Sequence, residues 1–296
     1  MKVSVIISAC PNREELFARS LSTYSRQNFD KKEFEILLVD DGDRSVLFGL
    51  CKLAYEDYGL QIRYIKIDPS KSAYPIKSFT PALTNNVGFR MANGEVVVIT
   101  GPETMWAENN LSVAYSMADR RQCAYGLVYR ASPEFNKHIG QVVDWEKQSF
   151  AQILNYPGAQ ADCRTRPPHP PAYWYYMAVA RGYVMQIGGV DERFLGGICG
   201  DDDDFANRMR FSGVTPVFEH GMIGIHQNHE SGDITDAVHS IRHITDAAHN
   251  NLRGWNELRK HNLNLIHENI RNRDPVANKN HIWGDLNVVM EEVILF

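Results

Sequence analysis

The chain has 296 residues, of which 44% are hydrophobic and 23% are charged, and its formal net charge is −5. This length supports one large core, and the negative charge carries no electrostatic signature of a nucleic-acid-binding protein. The five cysteines show no CxxC pairing, which argues against a disulfide framework and a cysteine zinc site. No run of eighteen apolar residues occurs, which argues against a membrane span. We therefore expect a cytoplasmic protein.

Short apolar runs alternate with amphipathic segments over the N-terminal third of the chain. The runs are β-branched and nearly continuous, which is typical of strands covered on both faces, and we predict strands at Val3–Ser8, Phe34–Asp43, Ile62–Ile67 and Glu95–Thr100. Apolar residues at three- and four-residue spacing predict the intervening helices at Glu14–Gln27, Val46–Tyr58 and Pro81–Met91. Strands and helices that alternate at this spacing imply right-handed crossovers and an open parallel sheet.

Three of these strands end in acidic or polar residues, at Ala9–Arg13, Asp40–Asp43 and Gly101–Thr104. Each acid taken alone has a plain explanation, since it ends a strand and caps the next helix. Taken together they indicate a nucleotide site, because open parallel sheets bind ligands beyond the carboxyl ends of their strands. No GxGxxG or GxxxxGK[ST] motif follows any of these strands, so a cation held by carboxylates is the usual alternative partner for phosphates.

The second half of the chain has three further features. A stretch rich in proline and then in aromatic residues, Asn155–Gly182, leads into a predicted strand at Tyr173–Ala180. Four consecutive aspartates, Asp201–Asp204, follow a glycine-rich run and precede a predicted helix at Phe205–Phe211. Beyond His229 the chain is polar with apolar residues at helical spacing, which predicts one or two helices that pack on the core or on a second subunit.

Three segments of the sequence resemble known glycosyltransferase motifs. The segment VSVIISACPNREELFARSLSTYSRQNFDKKEFEILLVDDGDRS resembles the opening of a family 2 glycosyltransferase of the GT-A fold, and LTNNVGFRMANGEVVVIT resembles the Asn-x-Gly helix and following strand of that family. GGVDERFLGGICGDDDDFANRMRFSG is similar to the Gly-Gly-x-Asp-Glu…Gly-Glu-Asp-Asp-Asp-Phe segment that family 2 enzymes share with the galactosyltransferase C-terminal region. The resemblance covers roughly residues 1–230.

The resemblance implies an α/β chain of the GT-A fold, with a mostly parallel open sheet flanked by helices. Residues 1–230 would form the glycosyltransferase domain, with a nucleotide-binding half at 1–105 and an acceptor half at 106–230. Residues 231–296 lie beyond the resemblance, and their helical periodicity predicts a C-terminal extension that packs on the core or joins subunits in a homo-oligomer. The implied reaction moves a hexose or N-acetylhexosamine from a UDP-sugar to a hydroxyl group of a glycan or other acceptor, with inversion of the anomeric carbon. A retaining enzyme of the same fold is an alternative.

The resemblance also implies which residues bind the donor. Asp41, the second acid of VDDGD, hydrogen-bonds the base of the nucleotide, and Ala9 and Arg13 line the same pocket. Asp40 is a weaker candidate for this role. Asn86 of the Asn-x-Gly helix falls among the donor-binding positions.

The Asp-x-Asp motif that binds metal in the family falls on Gly101-Pro102-Glu103, where only Glu103 keeps a carboxylate. The implied Mn²⁺ or Mg²⁺ ion therefore needs a further ligand. His226 stands where galactosyltransferase-like enzymes carry a metal-binding histidine, and His229 is a weaker candidate. Because the first aspartate is missing, a catalytically inactive nucleotide-sugar-binding module is a second alternative.

The implied catalytic base falls on Asp202. Inverting transfer needs a carboxylate beside the acceptor hydroxyl, and like charges packed this closely raise the proton affinity of at least one of them. Asp201 replaces a glutamate that accepts hydrogen bonds from the acceptor, whereas Asp203 and Asp204 are interpreted as charges that cap the helix. The glycine-rich run, Gly197 in particular, would let this loop approach a sugar.

Aromatic residues at the start of the predicted strand 173–180 are suited to stacking on a sugar of the acceptor. Alternation along a strand puts Trp174 and Tyr176 on one side and Tyr175 on the other, so only one set faces the acceptor. Trp174 and Tyr176 are assigned to the acceptor site.

Overall fold

The computed structural model describes residues 1–9, 13–42, 45–76, 81–117, 120–163, 176–229 and 252–296. Within these residues the chain forms one nine-stranded sheet in the order β5-β8-β6-β7-β4-β1-β2-β3-β9. The strands are β1 Val3–Ser8, β2 Phe34–Asp40, β3 Ile62–Ile67, β4 Val96–Thr100, β5 Thr104–Trp106, β6 Gln122–Arg130, β7 Tyr176–Ala180, β8 Thr215–His226 and β9 Met290–Leu295.

The helices flank this sheet on both faces. They are α1 Glu14–Ser25, α2 Ser45–Tyr58, α3 Ala82–Met91, α4 Asn110–Tyr115, α5 Pro133–Ile139, α6 Phe150–Ile153, α7 Arg181–Ile187, α8 Asp201–Phe211, α9 Leu252–Asn272 and α10 Leu286–Val289. Across the described ranges, none of them combines the length and the hydrophobicity that a membrane-spanning helix needs.

The centre of the sheet is the parallel set that the sequence predicts. β1 lies between β2 and β4, with Val5 opposite Ile36 and Val98, and β3 continues the set beyond β2. Every residue of β1, β2 and β4 is buried, because helices cover both faces of the parallel strands. The predicted α/β class with a mostly parallel central sheet is confirmed.

The two faces of the sheet support separate cores. α1, α2 and α4 share one core with Val5 and Ile7 of β1, and α3, α7 and α8 share the other with Ile6. This division follows from the alternation of side chains along a strand. Gly88 lets α3 lie close to β1, because a Cβ atom at this position would be 2.4 Å from Cγ2 of Ile6.

The second half of the sheet is mixed. β7 runs antiparallel to both β4 and β6, β8 runs parallel to β6, and β5 runs antiparallel to β8. The last pairing puts Thr104 of β5 opposite His226 at the end of β8. Residues that are more than a hundred positions apart in sequence are therefore neighbours at this edge.

The C-terminal region departs from the predicted helical extension. α9 packs on α8 and on a 3-10 turn at Glu192–Gly196 of the same chain. β9 then joins the sheet antiparallel to β3, with Ile294 opposite Tyr64. The sequence did not predict this strand because its short apolar run lacks a clear alternation, and Glu291 and Glu292 lie on its exposed part.

Candidate functional site

The candidate site lies at the edge where β1, β2 and β4 end, as the sequence predicts for a parallel sheet. Ala9 follows β1, is buried, and donates its N–H to the carbonyl of Val39 at 2.8 Å. Arg13 is partly exposed and starts α1, where its carbonyl accepts from the N–H of Phe17 at 2.8 Å. Both residues assigned to the donor pocket thus lie at this edge.

Asp40 and Asp41 are adjacent in sequence but differ in surroundings. Asp40 has no exposed surface, and its carboxylate accepts hydrogen bonds from the Tyr64 hydroxyl at 2.5 Å and from the Gly42 N–H at 2.9 Å. These bonds turn the chain out of the sheet, so β2 ends at Asp40 and not at Asp43 as predicted. Asp40 therefore stabilises the turn through its two hydrogen bonds. Its carboxylate is not exposed to a ligand, which corrects its assignment as a donor-binding residue.

Asp41 borders an open cleft at the same edge. Asp41 is partly exposed, and the other wall of the cleft is the segment between Pro69 and Ile76 that follows β3. The cavity volume of this cleft is about 100 Å³, which is smaller than a typical small-molecule site and has room for only part of a nucleotide. Asp41 is thus accessible from solvent at this edge, and its contact with the base of the nucleotide stays a prediction.

Asn86 is a structural residue, which corrects its assignment to the donor. It has no exposed surface, and its amide nitrogen donates to the carbonyl of Val190 and to Oε1 of Glu192, both at 2.9 Å. Its amide oxygen accepts from the N–H of Val190 at 2.8 Å. Asn86 therefore uses both ends of its side chain to hold the Gly-Gly-x-Asp-Glu loop against α3.

Glu103, His226 and His229 converge beside the start of β5. Nε2 of His226 lies 2.9 Å from Oε1 of Glu103, and Nε2 of His229 lies 3.9 Å from the same oxygen. One ligand atom from each residue lies within 4.8 Å of the other two. The structure thus brings together the two residues that the sequence analysis assigned to a metal ion, and it adds His229, the weaker candidate.

This cluster fits a divalent metal ion. One carboxylate oxygen and two imidazole nitrogens form a mixed set that suits Mn²⁺ better than Mg²⁺, which prefers oxygen ligands. Burial by itself would raise the pKa of Glu103, but the hydrogen bond and charge of His226, with the charge of His229, lower it to about 2. Gly101 leaves the space beside the carboxylate open, because a Cβ atom there would lie 2.6 Å from Oε1 of Glu103.

The four aspartates form the first turn of α8, so this helix begins at Asp201 and not at Phe205 as predicted. The turn that leads into it is left-handed, with φ angles of 61° at Cys199 and 83° at Gly200. No side chain caps the helix, so Asp203 and Asp204 do not have the capping hydrogen bond that their interpretation requires. Carboxylates in the first turn are nevertheless favoured by the helix dipole, which offsets part of their mutual repulsion.

The surroundings of Asp202 raise the proton affinity of its carboxylate. It is partly exposed, its Oδ1 accepts from the N–H of Asp203 at 2.9 Å, and among the described residues it forms no ion pair with a cation. Burial first, and then the charges of Asp201 and Asp203, raise the pKa of the Asp202 carboxyl well above the ordinary value. Asp201 is buried and Asp203 is exposed.

Asp204 belongs to a buried charge network that the sequence analysis missed. Arg208 donates to Oδ2 of Asp204 at 2.7 Å and to Oδ2 of Asp191 at 2.8 Å, and all three side chains are at most 2% exposed. Asn269 of α9 also donates to Oδ1 of Asp204 at 2.8 Å. The i, i+4 spacing of Asp204 and Arg208 was a visible signal of this pair.

The glycine-rich run packs under α9 and does not face a ligand. A Cβ atom at Gly197 would lie 2.2 Å from Oδ1 of Asn262 and 2.5 Å from the carbonyl of Leu258. A Cβ atom at Gly196 would lie 3.0 Å from Nε2 of His261. The assignment of Gly197 to the acceptor is therefore corrected: the absence of a side chain lets the C-terminal helix approach the loop.

Tyr176 is a core residue, which corrects its assignment to the acceptor. It is 1% exposed, and its ring centroid lies 4.5 Å from that of Trp106. The reason is its pairing in β7, which places it opposite Thr100 in the middle of the sheet. Trp174, its predicted partner in stacking on a sugar, and Tyr175 lie outside the described residues.

Comparison with known sequences relates the chain to a glycosyltransferase. No family model matches the chain. It is 24% identical over 248 residues to validoxylamine A glucosyltransferase of Streptomyces hygroscopicus subsp. limoneus, in a match that covers 77% of this chain and 52% of that protein. The chain thus spans about half the length of the curated relatives that it matches.

Solved structures share the fold. The mannosyltransferase PcManGT from Pyrobaculum calidifontis, in complex with GDP-Man and Mn²⁺, matches with a TM-score of 0.52 at 18% identity, over 79% of this chain and 59% of that chain. S. aureus TarS 1–349 in complex with UDP-GlcNAc matches with a TM-score of 0.52 at 16% identity, over 92% of this chain and 73% of that chain. The chain therefore has the GT-A type of fold found in nucleotide-sugar-dependent glycosyltransferases.

Proposed function

We propose that the chain is an inverting glycosyltransferase that moves a hexose or N-acetylhexosamine from a UDP-sugar to a hydroxyl group of a glycan or other acceptor. Its relative from Streptomyces is a glucosyltransferase, and the two structures with this fold hold GDP-Man and UDP-GlcNAc. Three features of the described residues support the proposal: an open cleft beside Asp41, a cluster of potential metal ligands around Glu103, and an acidic turn at the start of α8.

The observation that carries the proposal is the contrast among the acids of this region. Asp191 and Asp204 share Arg208 and are committed to the fold. Asp202 is partly exposed, forms no ion pair with the cations of the described residues, and has a raised pKa. An acid held in this way accepts a proton more readily than an ordinary aspartate, which is the property that a general base for a hydroxyl group requires.

In the proposed reaction the acceptor oxygen attacks the anomeric carbon of the donor in one displacement. The bond from that carbon to the diphosphate oxygen breaks as the new bond forms, and the configuration of the carbon inverts. The hydroxyl proton passes to a carboxylate oxygen of Asp202, while UDP leaves with the electron pair of the broken bond. Base catalysis of this kind contributes a factor of about 10² to 10⁴ to the rate.

Glu103, His226 and His229 would hold the divalent cation. When bound, the ion would neutralise charge on the diphosphate leaving group. The ionised state of Glu103 and the open space at Gly101 support this role. A side chain at position 101 would require the Glu103 carboxylate to move from its present orientation.

Removal of the metal is expected to abolish transfer. An excess of EDTA should stop UDP release and Mn²⁺ should restore it. Glu103→Gln should raise the Mn²⁺ concentration for half-maximal activity by more than about tenfold, because the amide is a poorer ligand than the carboxylate. Calorimetric titration with Mn²⁺ measures the loss of Mn²⁺ affinity independently of activity. Glu134→Gln, at an exposed position of α5, is the matched control. Full activity in excess EDTA would contradict this role.

Asp41→Ala is expected to weaken the binding of UDP by about tenfold, the value of one hydrogen bond to the base. The sugar is not part of this contact, so UDP alone is the right ligand, and calorimetry measures its affinity. Asp57→Ala, at an exposed position of α2, should leave the affinity unchanged. An unaltered affinity in the Asp41 variant would show that this side chain does not contact the base.

The proposed function is tested by incubating the protein with Mn²⁺, a panel of UDP- and GDP-sugars and a glycan acceptor, with water as the acceptor in a parallel series, and by measuring the release of the nucleotide. Release from at least one UDP-sugar is expected, and no release from any donor favours the inactive binding module. NMR of the freshly formed product then gives its anomeric configuration. Inversion supports a base at Asp202, whereas retention favours the alternative of a retaining enzyme.

A further inference from the structure

Helix α9 contacts the segment around Asp202 through two asparagines. Asn262 and Asn269 are 1% and 4% exposed, although asparagine is usually a surface residue. They lie seven residues apart, which is close to two helical turns, so both face the same side of α9. Asn262 contacts the chain before the four aspartates, and Asn269 contacts Asp204 within them.

Asn262 closes the turn that leads into α8. Its Nδ2 atom donates to the carbonyl of Cys199 at 2.8 Å and to that of Phe194 at 3.3 Å. Cys199 has a φ angle of 61°, which is uncommon for a residue other than glycine and persists only where the surroundings hold it. The amide of Asn262 is thus bonded to the strained residue that lies just before Asp201 and Asp202.

The loop and α9 are packed without spare room. Besides the close contact of Gly197 with Asn262, a Cβ atom at Gly200 would lie 2.5 Å from Cδ1 of Ile266. On the far side of the turn, Asn269 donates to Asp204 and accepts from Arg193 at 2.8 Å. The acidic turn is therefore held from α9 on both sides, while Asp202 between these contacts stays partly exposed.

We propose that Asn262 is a positioning residue for the carboxylate of Asp202. Its two hydrogen bonds fix the left-handed turn at Cys199 and Gly200, and this turn sets the direction in which the first residues of α8 leave the loop. The C-terminal helix is then part of the catalytic apparatus without contacting the substrate. This inference rests on the proposed role of Asp202 as the base.

Asn262→Ala tests this proposal, with UDP release from the most active UDP-sugar of the donor panel as the assay. We expect kcat to fall by roughly 10- to 100-fold, since a displacement of about 1 Å at a reacting group has an effect of this size. The KM of the donor and the Kd of UDP should stay within about twofold, because the nucleotide cleft is formed by other elements. Asn264→Ala, the same substitution on the exposed side of α9, should be fully active.

Asp202→Asn provides the second arm of the test. In this background Asn262→Ala should cause no further loss of kcat, because there is no longer a carboxylate to position. A purely structural role for Asn262 predicts the opposite, which is a second loss that multiplies the first. That result, or a lowered melting temperature with unchanged kcat in the single variant, overturns the proposal. A fully active Asp202→Asn variant instead refutes the base itself, so the two failures are distinguishable.

Discussion

Replacement of Asp202 by asparagine is expected to lower kcat by a factor of about 10² to 10⁴. The amide keeps the shape of the side chain and its place in the first turn of α8, but it cannot accept the proton of the acceptor hydroxyl. The affinity for UDP should be almost unchanged, because Asp202 lies at the start of α8 and the nucleotide cleft is bordered by Asp41 and the segment after β3. Steady-state kinetics and calorimetry with UDP measure the two quantities.

Asp203→Asn is the control for this variant. Asp203 is exposed in the same helical turn, so its substitution removes the same charge without removing the proposed base. Asp204 is unsuitable as a control, because it is buried and bonded to Arg208. Equal losses of kcat in the Asp202 and Asp203 variants, or full activity of Asp202→Asn, would refute Asp202 as the base and leave Asp201 as the remaining candidate in this turn.

The dependence of activity on pH should reflect the pKa of Asp202. The base must be ionised to act, and its pKa is raised by burial and by the neighbouring carboxylates. Activity should therefore fall with decreasing pH through a limb that lies above the range of an ordinary aspartate. The residual activity of Asp202→Asn should lack this limb. A wild-type limb near the ordinary aspartate pKa would contradict the raised pKa.

Arg208→Met is expected to lower the free energy of unfolding by about 3 to 5 kcal/mol. Arg208 is the buried cation between Asp191 and Asp204, and its loss leaves Asp204 without a cation among the described residues. The effect should exceed that of an exposed ion pair, because a buried carboxylate without a cation keeps its desolvation cost. Urea unfolding followed by circular dichroism measures this change.

Arg210→Met serves as the control for Arg208, since it removes a cation from the exposed side of the same helix and should cost less than about 1 kcal/mol. Adding Asp204→Asn to Arg208→Met should recover part of the loss, because the remaining buried charge is then neutralised. A cost for Arg208→Met as small as that for Arg210→Met would show that the network contributes little to stability.

The sequence predicted the half of the fold in which neighbours in space are close along the chain. The strands and helices up to Thr100 differ from their predicted bounds by a few residues, because their apolar periodicity and their local turns determine them. The juxtaposition of Glu103 and His226 needed more than periodicity, and the resemblance to a family supplied it. It depends on β5 pairing with β8, which no local pattern encodes.

The resemblance assigned some residues to the site incorrectly, because packing within the fold determines which way their side chains point. Asn86 and Tyr176 have the residue types of ligand-binding positions, yet their side chains point into the protein. The glycines at 196 and 197 are compatible with a close ligand or a close helix, and their contacts with His261 and Asn262 arise from a helix sixty residues further along the chain. Arg208 was overlooked because its second partner, Asp191, is not at helical spacing.

The pairing of β9 with β3 has a consequence for the time during which the protein is made. β3 ends at Ile67 and β9 begins at Met290, so more than two hundred residues leave the ribosome between them. At typical rates of synthesis this takes roughly 10 to 45 s. Throughout that interval β9 is not available to pair with the outer backbone groups of β3, and an uncovered edge of this kind readily pairs with other chains. Closure of the outer edge of β3 thus waits for β9, a strand that is made more than two hundred residues later.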